Sequence, residues 1–102
     1  MKVFNKLVRD KIPCIIMQQG GQPIVETLEG DAYLRALDQK LNEEITEYQE
    51  SKELEELADI LEVVYAICEA RGHTIESLHQ IKEEKRLERG GFEARVFLVS
   101  AE

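Results

Sequence analysis

Leu34, Leu37, Leu41, Ile45 and Tyr48 recur at spacings of three and four residues. That period marks an amphipathic helix and predicts one over about 32–51. Asp31, directly after Gly30, suits its N-cap. A second helix begins near Lys52 or Glu53 and runs to Arg71, with Leu54, Leu57, Leu61, Val64 and Cys68 as its main stripe. In its later half Ile60, Val63, Tyr65, Ala66 and Ile67 add apolar residues on almost every side. A helix that is apolar all round must be buried all round. In so short a chain, a partner subunit is expected to cover one face. Gly72 then offers a C-terminal cap. Thr74 caps a third helix over 75–89, with Leu78, Ile81 and Leu87 on its sparse apolar side and Gly90-Gly91 at its end. The connection near Ser51–Glu53 is short, so the two long helices should lie antiparallel.

The flanking segments are less periodic. Residues 1–12 alternate irregularly between apolar and basic and read as an extended arm or a short turn of helix. Pro13 can occupy a first helical turn, which predicts a short helix over Pro13–Gln19 stopped by Gly20-Gly21. Pro23–Leu28 and Arg95–Val99 read as short strands that could pair with each other. The expected fold is mainly α, an antiparallel helix bundle with a minor two-stranded β element, in one domain spanning 1–102.

Charge changes this picture. Of the 102 residues, 21 are acidic and 13 basic, a net charge of −8. The stretch Glu43–Glu62 alone holds nine acidic residues and one base, Lys52, so it carries a net −8 by itself. An acidic balance disfavours duplex nucleic acid or an anionic membrane as main partner. The longest apolar run, Val63–Cys68, is too short to span a bilayer. With 43% hydrophobic and 33% charged residues, the composition is that of a folded soluble domain. M-K-V-F-N-K predicts no signal peptide, hence a cytoplasmic location, and Cys14 and Cys68 are expected to be reduced core residues.

Helical geometry sorts the carboxylates. On the first long helix Glu44 lies about 60°, and Glu47 about 120°, to one side of the apolar stripe. Glu43 and Glu50 point away. On the second, Glu56 and Asp59 lie about 100° and 160° from Leu57. Each helix thus carries an i, i+3 carboxylate pair on the shoulder of its stripe, and antiparallel packing can set the pairs face to face. Two readings stand. Glutamate-rich helices are commonly solvated faces. Alternatively, four converging carboxylates repel one another until a divalent cation offsets their charge. Oxygen ligands suit Mg²⁺ or Mn²⁺, and the lack of nearby His or Cys disfavours zinc.

Two basic groups flank the acidic stretch. Lys6, Arg9 and Lys11 lie in N-K-L-V-R-D-K-I-P, and Lys82, Lys85, Arg86 and Arg89 share one face of the third helix. They could hold an anionic, phosphate-bearing ligand or pair with surface glutamates. His73 is expected at a turn and His79 on the surface. Phe92 and Phe97 are expected in the core.

Glu43-Glu44-Ile45-Thr46-Glu47 followed by Glu56-Leu57-Ala58-Asp59 has the form E-E-x-x-E … E-x-x-D. The chain resembles the all-α nucleoside triphosphate pyrophosphohydrolases, the MazG-like superfamily, and within it the small branch similar to phosphoribosyl-ATP pyrophosphohydrolase. N-K-L-V-R-D-K-I-P at 5–13 and E-K-R-L-E-R-G-G-F at 84–92 extend the resemblance nearly end to end. It implies hydrolysis of a nucleotide between the α- and β-phosphates, releasing pyrophosphate and a monophosphate. It implies Mg²⁺ held by Glu44, Glu47, Glu56 and Asp59. It also implies phosphate contacts from Lys6, Arg9, Lys11, Lys82, Lys85 and Arg89, and a homo-oligomer, dimer or tetramer. Glu43 would support the catalytic site from outside the ligand set or contact a neighbouring subunit. House-cleaning of nucleotides and histidine biosynthesis are both compatible with the branch. A non-catalytic acidic interaction module is the reading from a different class.

Overall fold

The fold is described by a computed structural model covering residues 2–102. Met1, which belongs to the expected N-terminal arm, lies outside the described residues. Four helices follow one another: α1 (Ile12–Gln18), α2 (Gly30–Ser51), α3 (Leu54–Ala70) and α4 (Ile75–Arg89). Residues 2–11 form an irregular arm. Pro13 sits in the first turn of α1, where its missing N–H costs nothing. The N-cap of α2 is Glu29, not Asp31, which lies in the first turn and faces the positive end of the helix dipole.

The α2–α3 hairpin is the centre of the molecule. Lys52 takes a left-handed conformation (φ 60°) and its N–H closes α2 on the Tyr48 carbonyl at 2.8 Å. Glu53 then starts α3. The pairing is antiparallel: Arg71 at the end of α3 reaches Asp38 of α2 at 3.5 Å. Nearer the turn, Glu44 and Glu47 meet Glu56 and Asp59. Helix α3 ends at Gly72 (φ 87°), where the Gly72 N–H donates to the Glu69 carbonyl and the His73 N–H to the Cys68 carbonyl, both at 3.0 Å. That double bond pattern needs a left-handed residue, which glycine adopts without steric cost. Thr74 immediately caps α4, its hydroxyl accepting from the Ser77 N–H at 3.0 Å. Thr74→Ala is expected to cost about 1 kcal/mol of stability, read by chemical denaturation. Helix α4 leans on α3, joined by the Tyr65 hydroxyl and His79 Nε2 at 2.9 Å.

The expected β element is not formed. Residues 23–28 and 95–99 carry no strand, and no strand occurs among the described residues. Alternating β-branched residues suit a pleated surface, but a strand also needs a hydrogen-bonding neighbour. Here each segment runs alone, with Ile24 90% and Phe97 87% exposed. Phe92 is 96% exposed, so neither phenylalanine is in the core. Cys14 is exposed as well, because α1 turns Ile12, Pro13 and Ile16 inward instead. Cys68 is half-buried and its Sγ donates to the Thr74 carbonyl at 3.3 Å. Both thiols are free.

The first half of the apolar stripe expected on α3 faces outward. Leu54, Leu57 and Leu61 are exposed, whereas Val63 is buried against α2 beside the buried Leu37. Val64–Cys68 are half-buried. The chain exposes 9267 Å², against about 5,900 Å² for a compact monomer of its mass. Its radius of gyration is 17.9 Å, against about 13 Å for a compact domain of this length.

Candidate metal centre

The i, i+3 spacing places Glu44 and Glu47 one turn apart on α2, and Glu56 and Asp59 one turn apart on α3. Antiparallel pairing brings the two steps level. One carboxylate oxygen from each of the four residues lies within 4.8 Å of the others. The pairs face each other across the seam, as antiparallel packing allows, with α3 turning its Asp59–Val63 side toward α2.

Glu44 is the deepest member, only 5% exposed. Its Oε1 pairs with Lys40 Nζ at 3.1 Å. Its Oε2 is buried without a hydrogen-bond partner among the described residues. An unpaired buried carboxylate oxygen is costly and calls for a partner such as a water or an ion. Burial pushes the Glu44 carboxyl above its ordinary range. Lys40 works against that shift, and the neighbouring Glu47 carboxylate adds to it. An acid whose pKa rises on folding stabilises the fold below its unfolded pKa, and the benefit is lost as pH climbs through the folded value. Without metal, Glu44's own contribution to stability is therefore expected to fall as pH rises above about 4.5, the ordinary glutamate value, while Glu43, whose pKa is lowered, contributes in the opposite sense. Glu44→Gln should flatten that part of a thermal-unfolding pH profile.

The donor set suits a hard cation. All four groups are carboxylates, and no imidazole or thiolate is among them. The cluster could hold a metal ion, and Glu44 Oε2 is the atom that most needs one.

Glu43 does not join the four. It faces the arm, accepting from Lys6 Nζ at 3.0 Å and Lys40 Nζ at 3.3 Å. Burial disfavours its charge, yet the hydrogen bonds from Lys6 and Lys40 outweigh burial and lower its pKa. Lys40 is itself held charged: burial lowers its pKa, but its bonds to Glu44 and Glu43 raise it further. Arg9 reaches the cluster directly, Nη2 to Asp59 Oδ1 at 2.8 Å. Lys11 lines a groove beside it. The third helix's basic residues stand apart. Among the described residues no hydrogen bond or ion pair joins Lys82, Lys85 or Arg89 to the carboxylates, and Arg86 pairs with Glu93 instead. The residue that sequence reasoning missed is Lys40. Its signal was present, since it precedes Glu43 and Glu44 by three and four residues on one helix.

The groove has a volume of about 490 Å³ and runs along the seam under the arm and α1. Glu44, Asp59 and Lys40 form part of its wall. No helix among the described residues is long and apolar enough to cross a membrane.

Known proteins add little to this geometry. No family model matches the chain. No solved structure matches it either. A protein of Mycolicibacterium smegmatis, described only as uncharacterized, is 50% identical over 42 residues, or 41% of this chain. The match spans 43% of that relative, less than half of its length.

Proposed function

We propose that the protein is a Mg²⁺-dependent nucleoside triphosphate pyrophosphohydrolase that cleaves between the α- and β-phosphates. The observation that carries this reading is the convergence of four carboxylates from α2 and α3, one of which, Glu44, also has a buried oxygen without a partner among the described residues. The E-E-x-x-E … E-x-x-D resemblance supplies the reaction. Glu44, Glu47, Glu56 and Asp59 hold the ion. When bound, Mg²⁺ offsets phosphate charge and makes a water more acidic. Lys40 keeps Glu44 Oε1 engaged, which leaves Oε2 for the metal side. Arg9 and Lys6 pair with the acidic residues and are within reach to transfer to phosphates, as is Lys11 on the groove wall. The assignment of Lys82, Lys85 and Arg89 to phosphate contacts rests on the resemblance alone. Glu43 acts as a positioning residue for Lys6 and Lys40; its lowered pKa makes it a poor base.

A homo-oligomer, dimer or tetramer, belongs to the same reading. The surface in excess of a compact monomer is about 3,400 Å², and it includes the outward leucines of α3. A second copy is the simplest cover for it.

The test is a panel of NTPs, dNTPs and phosphoribosyl-ATP incubated with Mg²⁺, with pyrophosphate and orthophosphate measured separately. Pyrophosphate with the matching monophosphate is expected from at least one nucleotide. A house-cleaning role predicts turnover of several nucleotides, whereas a role in histidine synthesis predicts preference for phosphoribosyl-ATP. Orthophosphate only, or no product, refutes the reading.

A further inference from the structure

We infer that the groove beside the carboxylates is the subsite for the nucleoside part of the substrate, with Tyr33 as its specificity-determining contact. This rests on the nucleotide reading above and adds to it which residues receive the base. The argument comes from the order of side chains along the groove. On α2, Tyr33, Leu37, Lys40 and Glu44 follow at i, i+4, i+7 and i+11, a single stripe, and all four line the groove. On α3, Asp59, Glu62, Val63 and Ala66 line the opposite side, Glu62 one turn beyond Asp59. The antiparallel pairing sets Asp59 level with Glu44, so both sides run from the carboxylates toward Leu37, Tyr33, Val63 and Ala66, with Glu62 the one further acid on the α3 side.

From Glu44 to Tyr33 the stripe is about 16 Å long at 1.5 Å per residue, a length suited to a nucleotide with its phosphates extended. The third wall is the arm and α1, which add Leu7, Val8, Ile12 and Ile15 beside the charged Arg9, Asp10 and Lys11. The volume of about 490 Å³ falls in the range of about 300–1,000 Å³ usual for small-molecule sites. One molecule would therefore meet carboxylates at one end, Lys40 midway, and an aromatic and aliphatic wall at the other. A polyphosphate joined to a flat, largely apolar ring system has that same sequence of groups. Leu37 is buried and forms the floor, whereas Tyr33 is half-exposed on the groove wall.

The experiment compares two probes in the presence of Mg²⁺: inorganic triphosphate, and α,β-methylene nucleoside triphosphates that resist cleavage. Binding is measured by calorimetry to the original protein, Tyr33→Ala and Ile15→Asp, and oligomeric state is checked by sedimentation. The original protein should bind its best nucleotide analogue at least about tenfold more tightly than inorganic triphosphate, the scale of one base–aromatic stack. Both variants should lose that margin and bind inorganic triphosphate as before. Equal affinity of the original protein for the two probes would overturn the inference and leave the metal–phosphate site standing. So would variants that weaken both probes alike. Failure of the original protein to bind either probe removes the nucleotide reading itself, and this inference with it. A change in sedimentation with the nucleotide margin intact would show that another copy of the chain fills the groove, which also overturns the inference.

Discussion

Glu47→Ala and Asp59→Ala are each expected to cut pyrophosphate release by about 10²–10³-fold, the usual loss when one group stabilising transition-state charge is removed. Each should leave the metal-free protein at least as stable as the original. The two effects have opposite signs for one reason. The four carboxylates hold oxygens within 4.8 Å of one another. Like charges 4 Å apart repel by about 1 kcal/mol in water and by about 4 kcal/mol at an effective dielectric constant of 20. Removing one relieves the fold while depriving the proposed cation of a ligand. The gain should be smaller for Asp59→Ala, which also loses the Arg9 ion pair. That pair is exposed on both sides, and such pairs contribute roughly 0–1 kcal/mol. Activity assays and thermal unfolding of the same preparations measure both effects. Variants that lost stability together with activity would mark these residues as structural instead.

Leu57→Asp combined with Leu61→Asp is expected to convert an oligomer to monomers without unfolding the hairpin. Both side chains are about half exposed on the outer face of α3, at 46% and 49%. In an isolated chain, aspartate there would be nearly neutral, because surface substitutions usually fall within about 0.5 kcal/mol. At an interface, two buried aspartates per subunit would each leave an unpaired charge, a cost no ordinary interface tolerates. Sedimentation at micromolar concentration distinguishes the cases. An original protein that sediments as a monomer, or a double variant of unchanged mass, contradicts this assignment of the outer face.

Much of the architecture was legible because helices write a strong period into sequence. The ranges of α2, α3 and α4 follow from leucine spacing, Thr74 and the Gly72 and Gly90 stops. The convergence of the carboxylates was legible for a related reason. Two i, i+3 pairs on helices joined by a two-residue link have little freedom except to meet. What the pattern does not encode is which of two apolar faces turns inward. Helix α3 has leucines on one side and Ile60, Val63 and Ile67 on another, and hydrophobicity alone weights the leucines. The structure places Val63 in the seam, since that side also brings Asp59 to Glu44. The strands at 23–28 and 95–99 failed differently. Their residues suit a sheet, but a sheet is a property of two segments, and the pairing partner is not written in either. Lys40 lies just before the acidic stretch, so the charge pattern of Glu43–Glu62 does not reveal it.

If the α2–α3 seam is a divalent cation site, Mg²⁺ added to the metal-free protein must stabilise it. Thermal stability is followed in the original protein and in Glu56→Gln, which keeps the shape of the side chain and removes its charge. A ligand bound only by the folded state raises the unfolding midpoint by mass action. The expected result is a saturable rise in the original protein that is lost in Glu56→Gln. No rise in the original protein, or an equal rise in both, would contradict the account.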